Sequence, residues 1–209
     1  MKNLCFAVLA MMMFACQPQA QTVQEEKSDE VNPVIENILT RRSVRKYQPQ
    51  AVNRDTMSLV MKCGINAPNA INRQAWEVRV VDNPEILNGL TEIYNKQNPE
   101  AAALDKDARN MFRSAPTVAF IAYDTTFSYA PVDCALLAEN MMLSAWSMGI
   151  GSVCMGGPVP FLKSEPAAEI MKKLGFSENY ELLLTIGFGY PAEAPAARPR
   201  DDSKARFVD

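Results

Sequence analysis

The sequence predicts an α+β domain in which helices wrap a central sheet, and three observations carry that expectation. Residues 117–123 (TVAFIAY) and 182–188 (LLLTIGF) are continuous apolar runs of strand length and type, as expected of strands buried on both faces. Between them, residues 132–148 form a helix-length segment that is apolar nearly all round, so it belongs in the middle of the molecule. The remaining elements follow no regular strand–helix–strand rhythm, which argues against a doubly wound parallel sheet.

Taken in order, Asn32 followed by Pro33 reads as an N-cap with proline at the first helical position. Val34, Ile35, Ile38 and Leu39 then form one apolar stripe, so a short helix runs to about Arg41. A second helix starts near Asn53 and stops at Gly64, with Met57, Val60 and Met61 on one face. Residues 77–81 alternate as a strand does. Residues 84–112 have helical composition interrupted by Asn98-Pro99, which predicts two short helices. In the segment 132–148 the polar residues Asp133, Asn140, Ser144 and Ser147 fall on one narrow helical face. Ser164 and Gly175 bracket one more helix as cap and stop.

The first thirty residues stand apart. Lys2 precedes an apolar run, residues 4–15, that ends directly before Cys16; this is too short to span a bilayer and has the layout of a secretory signal. The Phe14-Ala15-Cys16 ending resembles the lipobox of bacterial lipoproteins, which predicts a signal peptide over residues 1–15, a lipid anchor at Cys16 and a membrane-anchored protein on the periplasmic or outer-membrane side. An ordinary signal peptide cut near Ala20 is the alternative. Residues 16–30 are polar, acidic and free of aromatics, hence a tether, and residues 31–209 hold one domain's worth of chain. Loss of residues 1–15 removes one cation and no acid, moving the formal charge from −3 to −4, which disfavours a nucleic-acid surface. The chain has no histidine, which excludes Ser-His-Asp and Cys-His mechanisms and argues against a transition-metal site. Cys63, Cys134 and Cys154 lie at wide spacings and are expected to be small buried apolar residues.

Three segments carry chemistry. Arg41-Arg42-Ser43-Val44-Arg45-Lys46 puts four cations in six residues of an acidic protein, where a helix ends. Guanidinium forks and a serine hydroxyl suit phosphate oxygens, although a solvated basic edge would have the same composition. Residues 67–76 (APNAINRQAW) gather amide side chains that can donate and accept at once, as the edge of a heteroaromatic ring requires; the bland reading is a loop with Trp76 plugging the core. Residues 149–158 (GIGSVCMGGP) let backbone approach a flat ligand, but fit neither a dinucleotide nor a P-loop fingerprint.

The order and spacing of these segments, with Arg198 and Arg200 near the end, resembles the nitroreductase family from Val34 to Arg200. The resemblance implies a mainly antiparallel central sheet and an intertwined homodimer. It implies FMN, with its phosphate on Arg41, Arg42, Ser43 and Arg45, its ring and ribityl chain against Pro68, Asn69, Ala70 and Asn72, its N5 beside Met155, Gly156 and Gly157, and its phosphate and pyrimidine side met by Arg198 and Arg200. The activity implied is hydride transfer from NAD(P)H through the flavin to a small electron-poor acceptor, a quinone or nitroaromatic, by a ping-pong mechanism, with Arg198 and Arg200 stabilising charge. Asn69 replaces the family's usual serine and Ala75 its usual proline; residues 93–113 give no usable match. A flavin-consuming or dehalogenating relative on the same fold, or a non-enzymatic flavin-binding lipoprotein, are the competing readings.

Overall fold

The computed structural model describes residues 31–104 and 108–208, so the expected signal, Cys16 and the tether lie outside the described residues. Three asparagines open the first three helices as side-chain caps. Asn32 Oδ1 accepts from Val34 N at 2.9 Å to start α1 (Pro33–Thr40), and Asn53 Oδ1 accepts from Asp55 N at 2.8 Å to start α2 (Arg54–Ile65). Asn83 Oδ1 accepts from Glu85 N at 2.8 Å to start α3 (Pro84–Gln97). Each cap satisfies backbone donors that the first helical turn leaves free. A short α4 (Pro99–Leu104) follows the expected break at Asn98, but α3, at 14 residues, is a full-length helix rather than a short one.

The strands β1 (Trp76–Val81), β2 (Thr117–Asp124), β3 (Gly151–Met155) and β4 (Tyr180–Gly189) form one sheet in the order β1-β2-β4-β3, with every pairing antiparallel. The two apolar runs are thus the two inner strands. Their register shifts by one residue between Ile121 and Ala122, leaving Leu183 as the extra residue of a bulge. Alternation along β2 sends Val118 and Phe120 into one core and Ala119 and Ile121 into the other. The first core is closed by Leu87 and Leu90 of α3; the second by Met57 and Val60 of α2 and by Leu137, Met141 and Ala145 of α5 (Ala130–Ser147). Helices therefore cover both faces of the sheet, as expected.

Three local expectations are corrected. α5 is not buried all round: Val132 and Leu136 are 55% and 41% exposed, because no element among the described residues covers that face. The apolar stripe of α1 likewise points outward, with Val34, Ile35, Ile38 and Leu39 all at least half exposed and no buried residue in the helix. The helix expected between Ser164 and Gly175 opens as a 3-10 turn (Glu165–Ala167) that runs into α7 (Ala168–Lys172), and a separate one-turn α6 (Val159–Leu162) precedes it. Ser164 is not the expected side-chain cap, since its hydroxyl donates backward to Phe161 O at 2.6 Å; Gly175 does end the segment, at φ +61°.

Candidate active site

The segment after α1 runs along the outer edge of β3. Ser43 bridges Ser152 in parallel fashion, and Val44 N donates to Ser152 O at 3.0 Å. Val44 is fully buried, and strand alternation puts Arg41, Ser43 and Arg45 on the opposite side from it. Tyr47 then bridges Pro191, just beyond β4; burial pushes its phenol pKa well above the ordinary value, Glu193 adds to the rise, and its hydroxyl donates to Val44 O. The Glu193 carboxylate accepts from the backbone N–H groups of Arg45 and Lys46, so the start of the tail is tied to this segment.

The three arginines are used differently. Arg42 Nη1 donates to Leu39 O and Arg41 O, both at 2.8 Å, capping carbonyls at the end of α1. Arg41 Nε stands 3.8 Å from Glu139 Oε1 of α5, a loose and partly exposed pair of small energetic worth. Arg45 is exposed, its Nη1 donating to Ser43 O at 3.1 Å. Arg41 and Arg45 are the better placed of the three arginines for an incoming anion, because Arg42 is occupied.

Glycines on either side of β3 do different jobs. Gly149 (φ +73°) follows the end of α5 in the left-handed conformation, and Gly151 makes room for Val44, whose Cβ and Cγ2 lie 2.9 Å from where a Cβ on Gly151 would sit. Gly149 is set by its backbone conformation and Gly151 by packing, so the open part of the glycine-rich stretch next to β3 is its far end. There, Gly156 and Gly157 are exposed and a Cβ on either would meet nothing within 4 Å, leaving open space beside Met155. Gly151→Ala should therefore destabilise the protein by about 1–3 kcal/mol through overpacking against Val44. A thermal unfolding curve checks this, and an unchanged midpoint would contradict it.

Cys154 departs from expectation. Cys134 is buried, and burial pushes its pKa up to about 12, with Asp133 adding to the rise; Cys63 is half-buried; but Cys154 is exposed. Partial burial and Glu139 raise the Cys154 pKa while Arg41 opposes them, and the thiol directly precedes Met155 in β3.

The amide loop, residues 67–75, links α2 to β1. Ala70–Asn72 form a 3-10 turn in which Ile71 (φ 50°) and Asn72 (φ 55°) are left-handed, and Gln74 (φ 53°) is a third such residue. For non-glycine residues each such conformation costs on the order of 1 kcal/mol, and β-branched Ile71 is the most unusual. Asn69 Oδ1 accepts from Gln74 N at 3.0 Å across the loop, and Asp133 Oδ1 accepts from Ala70 N at 3.1 Å beneath it. Pro68 and Asn72 are exposed and Asn69 and Ala70 half-buried, so Asn72 offers its amide at the surface while that of Asn69 ties the loop together. Trp76 is half-buried against the core formed by α2 and α5, consistent with the plug expected of it.

The structure thus gathers Arg41, Ser43, Arg45, Met155, Gly156 and Gly157 around the edge strand β3. Among the described residues, no hydrogen bond or ion pair joins Pro68, Asn69, Ala70 or Asn72 to that group, nor Arg198 or Arg200. Arg200 Nη1 contacts only Arg198 O at 3.4 Å and Pro199 O at 3.5 Å, on an exposed tail. Sequence reasoning missed Glu139, Cys154 and Asp133 as site neighbours. A lone acid on a helix and a lone cysteine carry no pattern, and the polar seam containing Asp133 gave a face but not its target.

Comparison with known proteins follows the same segments. The chain is 26% identical to a nitroreductase with bound FMN from Desulfitobacterium hafniense, whose structure superposes with a TM-score of 0.74 over 85% of this chain and 99% of that one. A nitroreductase with bound FMN from Bacteroides fragilis is 25% identical, with a TM-score of 0.73 over 85% of this chain and 100% of that one. The NADPH-flavin oxidoreductase of Vibrio harveyi is 28% identical over 175 residues, 81% of this chain and 70% of that protein. The model of the nitroreductase family matches residues 38–190, from the last turn of α1 to the end of β4, and so takes in the basic segment, the amide loop and β3. On that match, and on the sheet and helices around it, this chain belongs to the nitroreductase family.

Proposed function

We propose that this protein is an FMN-dependent oxidoreductase that takes hydride from NAD(P)H and delivers it to a small electron-poor acceptor, a quinone or nitroaromatic. The observation that carries the reading is the juxtaposition on β3: guanidinium and hydroxyl donors at Arg41, Ser43 and Arg45 lie on the segment bridged to the strand that ends at Met155 and runs out into Gly156 and Gly157, where the surface is open. That donor set fits a phosphate ester, and exposed backbone without side chains fits a flat ring. FMN-bound relatives of 25–26% identity and the Vibrio NADPH-flavin oxidoreductase support the cofactor and the donor.

When bound, FMN accepts and gives up hydride at its N5. The protein's own residues bind and orient. Arg41, Ser43 and Arg45 would hold the phosphate, with Arg42 contributing charge. Pro68, Asn69, Ala70 and Asn72 would contact ring and ribityl chain, and Met155, Gly156 and Gly157 would bring backbone to the reacting edge. Arg198 and Arg200 would place fixed positive charge at the pyrimidine edge, preorganised for the negative charge that hydride arrival brings. No histidine exists to shuttle protons.

The proposed assembly is a homodimer. Two features support it: α1 and α5, which pack on each other through Asn37 Nδ2 donating to Leu143 O at 3.0 Å, both turn apolar side chains to solvent; and beyond Glu193 the proline-rich tail carrying Arg198 and Arg200 is exposed, with only local hydrogen bonds among the described residues. A second copy would cover the first and receive the second, and could supply the amide loop or arginines to its partner's site.

One open face over the ring would serve donor and acceptor in turn, so initial rates with NADPH and menadione should give parallel double-reciprocal lines. Arg200→Gln should retain FMN and lower kcat. Intersecting lines, or an Arg200→Gln variant that turns over normally, would contradict these assignments. We further propose export as a lipoprotein anchored through Cys16 on the periplasmic or outer-membrane side, supported by Lys2 and the apolar run before Cys16. Mass spectrometry of protein from the native host should find a lipidated N-terminus at Cys16; a free N-terminus at another residue would exclude it.

A further inference from the structure

The polar seam of α5 has a target. Asp133 Oδ1 accepts from Ala70 N inside the amide loop at 3.1 Å, and Asn140 Nδ2, two turns on, donates to Cys63 O near the end of α2 at 3.2 Å. The seam therefore grips the chain on both sides of residues 64–69, where the loop leaves α2. Its other members, Ser144 and Ser147, bond only within α5, to Met141 O and Ser144 O.

Asp133 is the costly member. It is only 3% exposed, and its second oxygen, Oδ2, is buried without a hydrogen-bond partner among the described residues. An unfilled carboxyl oxygen in the interior is destabilising, and an acid at that position stays only if its other contact is worth keeping. That contact is the backbone N–H that enters a turn with three left-handed residues, Ile71, Asn72 and Gln74. Strained backbone of this kind persists only where surrounding structure holds it, and Asp133 is the buried group that does so from below. Its place in the first turn of an 18-residue helix further favours a carboxyl group there.

We infer that Asp133, braced by Asn140, is a positioning residue that clamps the strained amide loop in the shape presented to the ring and ribityl chain. The inference rests on the FMN reading above, and it separates two kinds of contact. Loss of the clamp should affect the ring side of the cofactor and leave the phosphate side alone. Asp133→Ala should weaken FMN and riboflavin alike, each by about ten-fold. Asp133→Asn keeps an acceptor for Ala70 N and should restore both to within about three-fold of wild type. An Asp133→Ala protein that binds both flavins as wild type does, that loses FMN alone, or an Asp133→Asn protein as impaired as Asp133→Ala, would overturn the clamp.

Hydrogen exchange of the Ala70 amide in the wild-type protein without flavin decides the matter even if Asp133→Ala fails to fold. Exchange at least about a hundred-fold slower than in an unstructured chain is expected, because the donor is held by a buried acceptor. Exchange at the unstructured rate would overturn the clamp. A wild-type protein that binds no FMN, with the Ala70 amide still protected, would instead defeat the functional reading and leave the clamp standing.

Discussion

Leu136→Arg should turn the proposed homodimer into a monomer that no longer retains FMN. Leu136 lies on the outer face of α5, 41% exposed in the single chain and close in sequence to Val132 at 55%. Covering the part of Leu136 that is still open contributes about 1 kcal/mol. Arginine there removes that gain and buries an unpaired charge, at a further cost of several kcal/mol. A two-fold interface repeats the substitution on both subunits, so the dimer should weaken by at least about a thousand-fold. Leu136 belongs to neither of the two cores, so the monomer should remain folded. Light scattering after gel filtration, with flavin absorbance followed in the same peak, reads both consequences; a dimer that keeps its FMN would contradict them.

Arg45→Ala should weaken FMN binding by about ten-fold or more, since a hydrogen bond to a charged group contributes about 1.5–3 kcal/mol. Arg45 is suited to this test because it is exposed and, among the described residues, its guanidinium bonds only to Ser43 O at 3.1 Å, so its loss costs the fold little. Riboflavin, which lacks the phosphate, should bind the variant as it binds wild type. The loss should also shrink as ionic strength rises, because the contact lies at the surface. Isothermal titration of both flavins checks the prediction. Unchanged FMN affinity would place the phosphate elsewhere.

Much of this arrangement is legible from residues alone, where the physics is local. Asn32, Asn53 and Asn83 cap helices by hydrogen bonds within three residues of themselves. The runs around Phe120 and Ile186 are apolar because both faces of the inner strands meet a core. What sequence cannot register is which surface an apolar stripe faces. The stripe of α1 was expected as the face of an ordinary helix, yet all four of its members are open in the single chain. The glycines show the same limit: Gly151 and Gly156 look alike in the sequence, but the first yields to Val44 and the second borders open space. The left-handed turn in the amide loop is equally invisible, because Ile71 is a residue type that avoids that conformation and the hydrogen bond from Ala70 to Asp133 beside it spans distant parts of the chain.

The site shows a similar division. The basic segment could be read because charge density on an acidic chain is itself a signal, and the structure adds that Arg42 is occupied by carbonyls at the end of α1. Asp133 and Ala70 lie 63 residues apart, and nothing in composition or periodicity joins them. Ser164 was expected to cap forward, but its hydroxyl turns back to Phe161, a choice made by the packing of α6.

The central claim is that the purified protein binds FMN and that NAD(P)H reduces the bound cofactor. The most direct measurement is to load the protein with FMN, remove free flavin and oxygen, and add NADPH or NADH while following visible absorbance. The account predicts one FMN retained per chain and prompt bleaching by at least one of the two nucleotides. A protein that retains no FMN, or one whose bound FMN bleaches with dithionite but with neither nucleotide, would contradict it.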